Sequence, residues 1–302
     1  MTDQLPVKPK TEPEILIDLL KKNQPLVAML APSFPIVYEF ANIVGKLKRL
    51  GFSYVVEVTA GAMHTNAAAI ELLKNNPQAR VITSPCASFV RMIRTKYPHL
   101  EKYLGFAADS PMVATARIVK KKYPNHKPVF IGPCNAKKLE ANEDYPELEI
   151  LSVTYKQMQT VFDHFQLQDD PTDEQAKLDL EETHTRLYPI SGGLAQSSAV
   201  KDLLADEEIE VVSGWQNCEQ ALKRFETSDR IRLLDILFCE GGCINGPGIN
   251  SPLSLAERRE KIVQFWELGN KQPIPIVELN KATQFKKIFP AIRKALTGLF
   301  HF

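Results

Sequence analysis

The sequence predicts an α/β fold of two lobes, each a small, mainly parallel sheet flanked by helices. Three observations carry that expectation. Short apolar runs alternate with stretches of helical spacing, the pattern of βαβ units. The apolar runs are nearly continuous rather than alternating, as in strands covered on both faces. Three of them lead directly into helix-breaking turns that each hold cysteine, so a cleft at the strand ends is expected between the lobes.

The elements follow in order. Residues 1–11 are polar and proline-punctuated and read as a tail. Thr11 with Glu14 three residues on has the form of a capping box, opening a helix through Ile15, Leu16, Leu19 and Leu20. Strands are expected at 26–30, 54–58, 80–83 and 128–131, and helices at 34–50, 64–74, 89–96 and 112–123. A second set gives strands at 149–153, 209–212 and 233–238 and helices at 155–165, 218–225 and 253–268. Residues 168–185 are rich in Asp and Glu and read as a surface insertion outside the core. Pro273 and Pro275 precede an amphipathic helix expected at 282–299. The domain expectation is a tail and helix over 1–23, a main domain over 24–268 with lobes of about 24–129 and 130–268, and a helical extension over 269–302.

Composition narrows the function. With 302 residues, 44% hydrophobic and 24% charged, the chain is ordinary globular protein. A formal net charge of +1 gives no electrostatic case for nucleic acid or an anionic membrane. No apolar run approaches the ~20 residues that cross a bilayer. Met1-Thr2-Asp3-Gln4 offers neither a basic nor an apolar leader segment, and a cytoplasmic location is expected. Five cysteines in a chain this long do not make a disulfide framework. In a reducing compartment, cysteines in Gly/Pro-rich turns are more often ligands or nucleophiles.

The three turns are Thr83-Ser84-Pro85-Cys86, Gly132-Pro133-Cys134 followed by Lys137-Lys138, and Cys239-Glu240-Gly241-Gly242-Cys243 running on to Gly248. Turns at the carboxyl ends of parallel strands can converge although they lie far apart in sequence. Four thiolates are the usual complement of a 4Fe–4S cluster. Glycines around Cys239 and Cys243 permit positive φ and close backbone approach to bulky sulfide. The same donors suit tetrathiolate zinc, so spacing alone does not name the metal. Cys218, inside a predicted helix, reads as a small core hydrophobe.

In order and separation these motifs resemble the three signatures of the C-terminal domain of the iron-only (FeFe) hydrogenase large subunit. Ala31-Pro32-Ser33, the stretch 55–62, Ser110-Pro111 and Ser191-Gly192-Gly193 extend the similarity over roughly residues 24–265. The resemblance implies an H-cluster, a 4Fe–4S cubane joined to a diiron unit with CO, cyanide and a dithiolate. It implies that Cys86, Cys134, Cys239 and Cys243 ligate the cubane and that Cys243 also bridges to the diiron unit. Lys137 would hydrogen-bond a cyanide, Pro32 and Ser33 would line the diiron pocket, and Glu140 would brace the region. Lys138 reads as a solvated base.

Departures from the family pattern are as informative. Pro85 stands where active members carry a proton-passing cysteine and has no titratable group. Gly132, Leu237 and Met112 replace the usual Met, Met and Gln, and Asn66-Ala67-Ala68-Ala69 replaces acids of the usual proton path. The pattern is closer to sensory-type members, thought to report H2 or redox state to a regulator. The expected chemistry is therefore 2H+ + 2e− ⇌ H2 at low turnover, in a redox- or H2-sensing role. No cysteine precedes Cys86, so electrons would come from a separate carrier such as a ferredoxin, with a signalling partner downstream. Two alternatives stay open at this point: an iron–sulfur binding or assembly protein of the same fold without a diiron site, and a structural zinc module.

Overall fold

The computed structural model describes residues 9–105 and 109–270. Its elements are α1 (Glu12–Lys21), β1 (Leu26–Leu30), α2 (Phe40–Leu50), β2 (Tyr54–Glu57), α3 (Thr59–Asn75), β3 (Val81–Ile82), α4 (Ala87–Lys96), α5 (Pro111–Lys122), β4 (Lys127–Gly132), α6 (Ala136–Leu139), β5 (Leu151–Thr154), α7 (Tyr155–His164), α8 (Gly193–Ser197), β6 (Ile209–Ser213), α9 (Trp215–Thr227), β7 (Leu233–Leu237) and α10 (Leu255–Gly269). Thr11 opens α1 as expected, its backbone N–H donating to Glu14 Oε2 at 2.7 Å. The expected helix at 34–50 is broken: a short 3-10 turn, Phe34–Ile36, precedes α2. The helix expected at 282–299 and Pro273 and Pro275 lie outside the described residues.

Two parallel sheets form. One has the order β2-β1-β4-β5 and the other β3-β7-β6. β1 is buried along its whole length, as is β7, which explains their unbroken apolar sequences. Met29, Val56, Phe130 and Val153 belong to the core of the first sheet, which continues into α2, α5, α7 and α10. Phe89, Ile93, Leu222, Phe225 and Ile236 build the core of the second.

The sheets do not divide the chain at residue 130, as the expected lobes did. β4 is central in the first sheet, and β5 extends it. β3 crosses instead to the second sheet, where Val81 and Ile82 pair with Leu233 and Leu234. Only two residues of β3 pair, too few for periodicity to show which sheet they join.

The acidic stretch at 168–185 lies at the surface as expected, with only Asp173 and Thr185 buried, but it is tied to the sheet. It runs along β2 and covers an edge that would otherwise expose unpaired backbone. Glu57 N–H donates to Leu180 O and Asp179 N–H to Val55 O, both at 2.8 Å. Asp173 is buried against α2, where Arg49 grips both its oxygens at 2.7 Å. Several of its acids pair with bases, Asp169 with Lys46, Asp173 with Arg49 and Asp179 with Lys48, while Asp169 and Glu181 stay largely exposed. At its end Arg186, buried, donates to both oxygens of buried Glu57 and lies 4.0 Å over the Phe265 ring of α10.

Candidate metal centre

Residues just past β1, β2 and β4 of one sheet and around β3 and β7 of the other line a single cavity of about 70 Å³. Both sheets thus point their carboxyl ends at one place, where parallel sheets bind ligands. Its walls are largely apolar, from Pro32, Pro85, Met112, Phe130 and Leu237 among others. The polar and thiol groups on it are Ser33, Thr59, Cys134, Lys137, Tyr188 and Cys243.

The three cysteine turns meet there by direct contact. Lys137 Nζ, just beyond the second turn, donates to the carbonyl of Pro85 in the first at 3.0 Å. Gly248 N–H, at the end of the third, donates to Pro133 O of the second at 2.7 Å. Gly246 lies so close that a Cβ there would come within 2.6 Å of Pro133 O. Gly242 has φ +105° and packs under Pro189 O, 2.5 Å from where a Cβ would sit, so only glycine fits the turn between the last two cysteines. Arg258 of α10 fixes the exit of this loop through the carbonyls of Ser251 and Leu253, both at 2.9 Å.

All five cysteines are free thiols. Burial pushes Cys239 up to about 12, with Cys86 and Cys134 adding to it. Cys243 is raised well above its ordinary value, by burial first and then by Cys86, Cys134 and Cys239. Cys86 rises by burial and by Cys134. These groups therefore lie close enough that ionising one disfavours ionising another. Without metal they are neutral thiols, and ligation would release their protons. Among the described residues no three His, Cys, Asp or Glu side chains gather tightly enough for a single ion. A cubane asks for something else, one thiolate on each of four separate irons. Free thiols on three joined turns, with Cys134 and Cys243 on the cavity wall, suit that donor set.

Lys137 is buried, and its ammonium is fully engaged: Pro85 O at 3.0 Å, Ser110 Oγ at 3.0 Å and Glu140 Oε2 at 2.6 Å. Burial favours loss of its proton. The charge of Glu140, its hydrogen bond and the nearby Cys134 and Cys86 outweigh that, so the Lys137 pKa is raised. Glu140 is also buried. Lys138 pairs with Glu12 of α1 at 2.9 Å. Ser33 is fully buried, its hydroxyl 2.9 Å from Tyr155 OH, which donates to Ala31 O at 2.9 Å. Pro32 is in the cavity wall.

These geometric features are matched by the chain's likeness to known proteins. Residues 24–247 match the family model for the C-terminal domain of the iron-only hydrogenase large subunit. The chain belongs to that family. It is 23% identical to Iron hydrogenase 1 of Clostridium pasteurianum over 266 residues, covering 68% of this chain but 46% of that protein. The chain thus spans less than half the length of that curated relative. Among solved structures, it resembles an FeFe-hydrogenase studied for oxygen inactivation at the 2Fe subcluster of its H cluster. The TM-score is 0.63 at 15% identity, over 96% of this chain and 95% of that one. FeFe-hydrogenase HydA1 of Chlamydomonas reinhardtii gives 0.61 at 16%, over 97% and 92%. At such identities the likeness is one of fold.

Sequence reasoning overlooked three residues in or against the hydrogenase-like cavity. Tyr155, the first residue of α7, holds Ser33. Tyr188 lines the cavity, with its hydroxyl turned to Asn66 Oδ1 at 2.8 Å. Thr59 opens α3 directly after β2. Tyr155 and Thr59 follow strands almost immediately, the same signal that located the cysteines. Cys218 is fully buried beside Leu237 and stays in the core of the second sheet.

Proposed function

We propose that this chain is an iron-only hydrogenase-like iron–sulfur protein in which Cys86, Cys134, Cys239 and Cys243 hold a 4Fe–4S cluster. The cavity beside them would take a diiron unit, with Cys243 shared between the two. The observation that carries this reading is the joining of three distant cysteine turns at one cavity that Cys243 and Lys137 both line. When bound, such a group supplies the redox chemistry of 2H+ + 2e− ⇌ H2.

The chain's own residues hold and surround. Lys137 keeps its proton and presents a cation to an anionic guest. Glu140 and Ser110 hold that ammonium in place. Ser33 and Tyr155 fix the turn after β1. The apolar walls exclude water, and Pro85, Met112 and Leu237 give the cavity no acid at the positions they occupy. Slow turnover and a redox- or H2-sensing role follow, with electrons from a separate carrier such as a ferredoxin.

Maturation-competent anaerobic expression followed by infrared spectroscopy tests the proposal. Stretching bands of CO and cyanide with about six irons per chain support it, whereas about four irons without those bands point to a cubane-only binding or assembly protein. The apolar replacements at Pro85 and Met112 are the observations that favour this second reading.

A further inference from the structure

The oxygen and nitrogen groups on the cavity wall are almost all committed. Lys137 spends its three donors on Pro85, Ser110 and Glu140. Ser33 is bonded to Tyr155, and Tyr188 to Asn66. Thr59 is the exception. It is fully buried, it lines the cavity, and its hydroxyl has no hydrogen-bond partner. An unpaired buried hydroxyl is unfavourable and calls for an explanation.

The neighbours do not supply a partner. Glu57 gains a small hydrogen-bonding contribution from the hydroxyl, the weakest of the influences on its pKa, but the contact falls short of hydrogen-bond geometry. Arg186 donates to both Glu57 oxygens at 3.0 to 3.2 Å and holds the carboxylate turned to its own side. The Thr59 carbonyl accepts from Thr185 Oγ1 at 2.8 Å, so the backbone is held while the side chain is left over. Thr59 is also the first residue of α3, a helix of 17 residues. The first turn of such a helix carries unpaired amide donors and a partial positive charge, which together attract anions. Two independent features therefore favour the same guest.

We propose that Thr59 Oγ1 donates a hydrogen bond to a small, partly anionic acceptor atom of the group held in the cavity, a metal-bound diatomic anion of the cyanide class. Thr59 is then a binding residue on the wall formed after β2. It offers a polar contact in a pocket where Pro85 and Met112 provide none. This inference rests on the diiron reading of the cavity given above.

Thr59→Val keeps the shape and removes only the hydroxyl, and Thr59→Ser restores it. The metal-free Thr59→Val protein is expected to melt at or above the wild-type temperature, because it loses an unpaired buried group. The matured variant is expected to show at least one diatomic-ligand stretching band shifted or lost, with Thr59→Ser returning it. Bands of matured Thr59→Val at wild-type positions would overturn the inference alone. So would a lower melting temperature of the metal-free variant, which would make the hydroxyl a structural contact to Glu57. If matured wild type shows no such bands, the diiron reading falls and takes this inference with it.

Discussion

Glu140→Gln separates a structural ion pair from one built to face an anionic centre. In the metal-free protein Lys137 is buried, and the nearby thiols Cys86 and Cys243 are held neutral by their raised pKa values. Glu140 is then the carboxylate bonded to the ammonium, at 2.6 Å. Breaking a buried pair by removing one partner costs about 3–5 kcal/mol. Gln keeps an acceptor for Nζ, so the lower end, about 3 kcal/mol, is the working figure. At about 2–4 °C per kcal/mol for a large domain, the metal-free melting temperature should fall by about 6 °C or more. Once the thiolates are ligated they carry negative charge beside the same ammonium, in the direction that already raises its pKa. The loaded protein should then lose less than half as much. Anaerobic melting followed by circular dichroism, on metal-free and reconstituted samples in parallel, reads both numbers. Equal depressions in the two forms, or none without metal, would refute the idea that Lys137 faces the centre.

Three further outcomes follow from the same geometry. Asp235 is buried on β7 with one hydrogen bond, from Ala195 N–H, and burial raises it to about 6. Between about 4 and 6 the folded state holds a proton that the unfolded chain has released, so stability falls as pH rises through that window. Asp235→Asn removes the penalty and should gain up to about 3 kcal/mol over wild type above pH 6, with little gain near pH 4, by urea denaturation at a series of pH values. Gly246→Ala places a methyl 2.6 Å from Pro133 O, a backbone atom that cannot yield freely, and should cost about 1–3 kcal/mol with reduced iron retention on a desalting column. Pro85→Cys returns an ionisable group to the cavity wall. In matured protein it should raise H2 turnover by about 10²–10⁴, the usual worth of a positioned general acid or base, and an unchanged rate would place the defect at the other replaced positions, Met112, Gly132, Leu237 or Asn66-Ala67-Ala68-Ala69.

Much of this arrangement was legible in the residues because it is written locally. β1 and β7 are continuous apolar runs, and each cysteine turn carries Pro or Gly immediately beside the thiol. The interleaving of the sheets was not legible, because β3 is two residues long and its partner, β7, lies some 150 residues away. Asp173 reads as part of a surface insertion, and Glu57 as an ordinary strand residue, until Arg49 and Arg186 are seen to reach them from other elements. Pairing across that distance leaves no trace in periodicity. Tyr155, Tyr188 and Thr59 were missed for a related reason: single side chains on a cavity wall have no motif, only a position after a strand or turn.

The most direct test of the central claim is iron and acid-labile sulfide, counted per chain after anaerobic reconstitution of each single Cys→Ser variant. The account predicts about four irons and four sulfides for wild type and for Cys218→Ser. It predicts a clear loss for each of the variants at 86, 134, 239 and 243. A full complement in any of those four, or a loss in Cys218→Ser with its fold intact, would contradict it.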